Sequence, residues 1–190
     1  MIEGPVLIFA TRSYEALKKR IAGCGHLEEG RLHRELFPDG EHYLRIETPL
    51  AGREVALVGG TLSDAETLEL YDLACGMVAE GALRLTLLVP YFGYSTMERA
   101  IKPGEVVTAK NRARLLSSIP APREGIRVVM VDLHSEGLPH YFEGAMRTLH
   151  LYARPIVLEQ ARKLGGDHFV LACTDAGRAK WVESLANDLG

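Results

Sequence analysis

The 190-residue chain carries 22 basic and 25 acidic side chains, a formal charge of -3, and 47% hydrophobic residues. That is the balance of one good-sized globular domain, or of one domain and part of another, and it excludes a disordered chain. It also excludes a broad basic surface for nucleic acid or anionic membrane, so any anion must be met locally.

Cys24, Cys75 and Cys173 are odd in number and widely spaced, without the short pairs that bind zinc, which fits a reducing, cytoplasmic setting. The amino-terminal apolar run is short and lacks a preceding basic region, unlike a secretory signal. No run approaches the roughly eighteen apolar residues of a membrane span. A soluble protein is expected.

In chain order, VLIFA at 6–10 reads as a buried strand, and 13–22 as a helix that Gly23 can stop. RLHREL and YLRIE flank FPDGE, whose Pro and Gly predict a turn, hence a strand pair around 31–47. EVALV at 54–58 is again strand-like. Ser63 stands three residues before Glu66, the spacing of a capping box, and Leu68, Tyr71, Leu73, Cys75 and Val78 follow at mixed helical spacing up to Gly81.

LRLTLLVP at 83–90 predicts a strand, and 90–107 a long loop without period, a length that inside a compact domain usually serves function. Thr108 opens a helix through Ser118. RVVMV is a strand and MRTLHLY a weaker one, and Pro155 suits the first turn of a helix ending near Gly165 and Gly166. HFVLAC at 168–173 predicts a last strand and 177–189 a last helix. Such alternation implies right-handed crossovers and a parallel sheet covered on both faces.

Ligands of such sheets collect beyond the carboxyl ends of the strands, where PYFGYSTMER, DLHSE and TDAG fall. His134 and Asp175 are a nitrogen and an oxygen ligand that suit a divalent cation completed by phosphate and water. By spacing alone the commoner reading is blander: His134 bonded to Asp132 or Glu136, and Asp175 capping the last helix. FPDGE reads equally as a solvated turn or as Asp39 and Glu41 accepting from a nucleobase or ribose beside a stacking Phe37. In the long loop, Tyr91, Phe92 and Tyr94 are more often packing than base stacking, and the charges more often solvated than bound. The functional alternative lets Arg99, Lys102 and Lys110 meet phosphate.

Taken in order, FPDGEHYLRI, VPYFGYSTMER, VTAKNRARLL, VDLHSEGLPHYFEG and CTDAGRAK resemble the motifs of the ribose-phosphate pyrophosphokinase family. The resemblance implies an α/β fold: a phosphoribosyltransferase-like parallel sheet flanked by helices, with residues 1–150 a complete amino-terminal domain. Residues 151–190 would be the incomplete start of a second, similar domain. It implies that Phe37, Asp39, Gly40, Glu41 and Arg99 contact ATP, commonly across a subunit boundary, and that His134 and Asp175 bind Mg2+. The implied reaction passes the diphosphoryl group of ATP to ribose 5-phosphate, in a homo-oligomer (a dimer or a hexamer), by charge neutralisation and alignment; no catalytic side chain is assigned.

The departures are specific. Thr96 and Met97 stand where the family has Arg-Gln, Glu98 where it has aspartate, and in CTDAGRAK Thr174 replaces proline and Arg178 the second glycine. The missing Arg-Gln pair and SSIPAPREG look closer to the divergent plant-type class. The family's basic catalytic segment and its Thr-Gly-Gly ribose-phosphate loop do not occur in these residues. The expectation is therefore a chain that binds nucleotide weakly and does not turn over alone. The runner-up is a non-catalytic homologue that associates with or regulates active subunits, and a third reading is an unrelated nucleotide- or metal-binding module.

Overall fold

The computed structural model describes residues 4–166, 168–173 and 176–189, with the side chains of residues 178 and 189 left aside. The chain divides into two compact units, Met1–Leu151 and Tyr152–Gly190.

Among its described residues the first unit holds eight strands: β1 (Val6–Ala10), β2 (Leu27–Glu29), β3 (Leu32–Leu36), β4 (His42–Ile46), β5 (Glu54–Val58), β6 (Arg84–Val89), β7 (Ile126–Val131) and β8 (Met146–Leu151). Three helices join them: α1 (Glu15–Ala22), α2 (Asp64–Ala79) and α3 (Thr108–Ser117). Six strands form one parallel sheet in the order β2-β1-β5-β6-β7-β8, while β3 and β4 make a separate antiparallel pair.

β1 is apolar throughout because both of its faces are covered. Ile8 and Ala10 join Ala56 and Val58 under Leu17 and Ile21 of α1. Leu7 and Phe9 point the other way, into the main core with Leu57, Leu70, Met77 and Leu87.

The cap of α2 forms by halves. Ser63 Oγ accepts from the Glu66 amide at 3.2 Å, but the Glu66 carboxylate accepts from the Ser13 hydroxyl instead of closing the box. The buried stripe of α2 is Thr67, Leu70, Leu73, Ala74 and Met77, spaced three and four apart, and Leu68 faces outward at 51% exposure. The buried stripe therefore lies one residue before the expected one at every position but Leu73.

In the second unit, α4 (Arg154–Gly165) starts with Pro155 in its first turn, and α5 (Ala179–Leu189) follows a short 3-10 turn at Ala176–Arg178. Arg154 ties the two helices, bonding the Asp188 carboxylate through Nε and the Ser184 carbonyl at 3.1 Å.

The strand expected at 168–173 is not formed. Among the described residues of this unit there is no other strand to accept it, and an extended segment without a ladder leaves its backbone groups to water. Val170 is accordingly 91% exposed.

Candidate functional site at the carboxyl rim of the sheet

The chain leaves β1 for β2 on one side and returns to β5 on the other, so the sheet's direction of winding reverses between β1 and β5. Crevices of this kind gather ligands in open parallel sheets. Here the strand ends are stitched together: Thr11 N donates to Val58 O at 2.8 Å, Gly59 N to Leu88 O at 2.9 Å and Thr61 N to Tyr91 O at 3.2 Å.

Glycine is required along this rim by contact. A Cβ on Gly60 would lie 2.3 Å from the Tyr14 hydroxyl oxygen, and one on Gly93 would lie 2.0 Å from the Thr61 carbonyl oxygen. Burial, then the charges of Glu66 and Tyr91, push the Tyr14 phenol above its ordinary pKa, so it stays protonated at neutral pH. Thr11 Oγ1 and Glu66 Oε2 are buried there without hydrogen-bond partners among the described residues.

An ionic cluster docks the β3–β4 pair beside this crevice. Arg34 Nε donates to Glu69 Oε1 at 2.9 Å and its Nη1 to Glu15 Oε1 at 3.2 Å, while Nη2 reaches the Ala10 carbonyl at the end of β1. The Glu69 carboxylate also accepts from the Arg12 amide at 3.1 Å. None of these was singled out from sequence. The readable signal was the alternation of LHREL, in which Arg34 shares the inward face with Leu32.

The outer end of that pair is the FPDGE turn. Phe37 N donates to Glu41 O and Gly40 N to Phe37 O, both at 2.9 Å, and Gly40 takes φ 91°, a left-handed conformation that favours glycine. Asp39 Oδ1 accepts from the Glu41 amide at 3.1 Å, so part of that carboxylate is spent on the turn itself. Phe37 packs against Tyr43 at 5.7 Å between ring centres. Phe37, Asp39, Gly40 and Glu41 thus share one exposed knuckle.

The 90–107 loop is anchored at its start and open at its tip. Gly93 N donates to the buried Thr61 Oγ1 at 2.7 Å, and Phe92 is buried against Phe142. Tyr94, in the left-handed region at φ 60°, donates its hydroxyl to Asp64 Oδ1 at 2.7 Å. Arg112 of α3 lies 4.5 Å over the Tyr94 ring and pairs with the same Asp64. Phe92 and Tyr94 are therefore packing residues, while Tyr91 is 56% exposed.

At the tip, Glu105 accepts from the Ile101 and Lys102 amides at 2.7 and 3.0 Å, and those bonds hold its carboxyl below the usual carboxylate range. Arg99 is 77% exposed, with Glu98 the nearest acid at 3.9 Å. Lys110 lies 5.8 Å over the Tyr141 ring.

After β7, Asp132 takes φ 43° and donates its amide to Leu151 O at 3.0 Å, which bends the chain out of the strand. Leu133 turns inward, and its amide donates to His150 Nε2 at 3.0 Å. His134 is left exposed at the rim. Glu136, a partner considered for His134, instead stands 3.6 Å from His150 Nδ1. His150, on the inward face of β8, was not anticipated.

Asp175, the other expected metal ligand, lies outside the described residues. Among the described residues no three His, Cys, Asp or Glu side chains gather as a metal cage. A cation that arrives on phosphate oxygens needs only one or two protein ligands, and of the two expected here the described residues include His134, which is presented to solvent. The Phe37–Glu41 knuckle, Arg99 and His134 stand on three separate loops.

Residues 6–119 match the family model described as the N-terminal domain of ribose phosphate pyrophosphokinase. The chain belongs to the ribose-phosphate pyrophosphokinase family. A ribose-phosphate pyrophosphokinase of Fusobacterium nucleatum is 31% identical over 188 residues, 97% of this chain and 58% of that protein. Chloroplastic ribose-phosphate pyrophosphokinase 1 of Oryza sativa is 28% identical over 186 residues, 96% of this chain and 46% of that protein. Identity is thus no higher to the plant pyrophosphokinase than to the bacterial one.

The crystal structure of phosphoribosylpyrophosphate synthetase from Mycobacterium smegmatis superposes with a TM-score of 0.86 at 22% identity, covering 98% of this chain and 61% of that one. The α/β fold of the family is shared. The chain spans about half to three fifths of the length of the pyrophosphokinases it matches.

Proposed function

We propose that this chain is the nucleotide-binding part of a ribose-phosphate diphosphokinase, which passes the β,γ-diphosphoryl group of ATP to the anomeric hydroxyl of ribose 5-phosphate. Family membership supports the chemistry. The structural observation that carries it is the presentation of His134 at the carboxyl rim, held outward by the inward-turned Leu133 and its bond to His150.

In this reading the FPDGE knuckle receives the adenosine of ATP, with Phe37 and Tyr43 offering ring surface and Glu41 and the remaining Asp39 oxygen accepting hydrogen bonds. As the family resemblance implies, the knuckle serves a rim on a second copy of the chain, in a homo-oligomer. Arg99, on the exposed loop tip, meets the phosphates. His134, with Asp175, ligates the magnesium that accompanies ATP, which supplies charge neutralisation. The chain's own part is to bind and align, since in-line phosphoryl transfer needs placement more than a covalent nucleophile.

Residues 151–190 open a second phosphoribosyltransferase-like domain, and the ribose 5-phosphate cradle lies in the remainder of the length of the pyrophosphokinases the chain matches. No helix of the described residues is long and apolar enough to cross a membrane. The cytoplasm, where ATP and ribose 5-phosphate are made, is the proposed location.

The test follows AMP release from ATP, magnesium and ribose 5-phosphate by the product of the complete gene. AMP formed only when ribose 5-phosphate is present supports the reading. No AMP from a protein that binds both substrates would overturn it.

A further inference from the structure

A second polar concavity lies at the other pole, where β6, β7 and β8 begin. Arg84, Arg123–Arg127 and Gly144–Arg147 line a cavity of about 520 Å³, within the roughly 300–1,000 Å³ of small-molecule sites. Four of the lining residues are arginines, in a chain whose formal charge is -3.

Their partners do not neutralise them. Arg84 Nη1 pairs with Glu54 at 2.5 Å, and its Nη2 stands 3.9 Å from Glu124. Arg123, Arg127 and Arg147 have no ion pair or side-chain hydrogen bond among the described residues, and all three are exposed. Four guanidinium groups face two carboxylates, a surplus of two positive charges.

Arg127 and Arg147 are also register partners on adjacent strands, on the same face of the sheet. Like charges side by side on neighbouring strands repel, and a multivalent anion bridging them offsets that repulsion. A guanidinium fork matches phosphoryl oxygens two at a time. The turns at 122–125 and 143–145 leave room for this: Gly125 and Gly144, at φ 88° and 68°, have nothing within 4 Å of a Cβ position.

We propose that this arginine-lined cavity at the amino pole binds an oligophosphate anion, one with at least two adjacent phosphoryl groups. A single phosphate fills only part of a cavity of about 520 Å³. The site is separate from the carboxyl rim and does not depend on the role given to His134.

Calorimetry at physiological salt with inorganic phosphate, diphosphate, tripolyphosphate and citrate tests it. Diphosphate and tripolyphosphate should bind saturably and at least tenfold more tightly than orthophosphate or citrate. The Arg127→Gln/Arg147→Gln double variant should lose at least tenfold in diphosphate affinity with an equal or higher melting temperature. Arg123→Gln, in an exposed turn, gives a second reading should the double variant fold poorly; it should weaken diphosphate several-fold. Citrate binding as tightly as diphosphate, unchanged affinity in the arginine variants, or no saturable binding by the parent chain would each overturn the proposal.

Discussion

The Tyr94 hydroxyl donates to Asp64 Oδ1 at 2.7 Å, across from the start of the 90–107 loop to the first turn of α2. Arg112 closes the arrangement from α3, 4.5 Å over the tyrosine ring and paired with the same carboxylate. Three elements are thus latched at one phenol, and the latch holds Tyr94 at φ 60°, a conformation a tyrosine reaches only under such constraint. Tyr94→Phe removes the hydrogen bond and keeps the ring under Arg112, so a loss of about 1 kcal/mol is expected in denaturant unfolding. Tyr94→Gly relieves the backbone but discards both contacts, and should leave residues 95–106 more open to limited proteolysis than Tyr94→Phe does.

Gly93 admits no side chain. The atom a Cβ would meet at 2.0 Å is a backbone oxygen of Thr61, not the end of a flexible side chain. Gly93→Ala should therefore cost about 3 kcal/mol, read as a lowered urea midpoint with the m-value unchanged. Gly104→Ala, where the added carbon meets nothing but φ is 86°, should cost about 1 kcal/mol from backbone strain alone.

Arg34 joins strand β3 to Glu69, Glu15 and the end of β1, with 14% of its side chain exposed against 18% for that of Glu69. Removing the guanidinium leaves two carboxylates facing each other in a half-dry site. Arg34→Ala should destabilise the chain by about 3 kcal/mol, and amide exchange in residues 32–46 should rise before that of β1 and β5. Arg45→Ala, at a pair that is itself 57% and 34% exposed, is the control and should change little.

The loop tip carries a pH dependence with a definite sign. Glu105 is held below its ordinary carboxylate pKa by the Lys102 and Ile101 amides, so its contribution is full above the unfolded-state value and is lost as pH falls through the depressed one. The Ile101 and Lys102 amide resonances should keep their bonded shifts at neutral pH and move together on acidification below the usual carboxylate range. In Glu105→Ala they should already be displaced at neutral pH and show no such transition.

Much of this frame was legible because parallel strands buried on both faces write themselves as short apolar runs, and VLIFA, EVALV and RVVMV each form a strand of the sheet. What escaped was long-range pairing. Nothing adjacent in the chain announces that Glu66 will serve Ser13 and not its own cap, or that His150 will receive the Leu133 amide. The segment at 168–173 has strand composition, yet pairing is what makes a strand, and the described residues of its unit offer no partner. His134 could be noticed at a strand end, but its outward presentation depends on Asp132 adopting a positive φ, which no local pattern required.

In the proposed function, His134 helps hold a magnesium-bound nucleotide at the carboxyl rim. Calorimetric titration of ATP with and without magnesium, on this chain and on His134→Ala, addresses it most directly. The magnesium-dependent part of the affinity should fall at least tenfold in His134→Ala while the melting temperature of the apo-protein stays unchanged, because the exposed imidazole contributes nothing to packing. Equal magnesium-dependent affinity in the two proteins would contradict the claim.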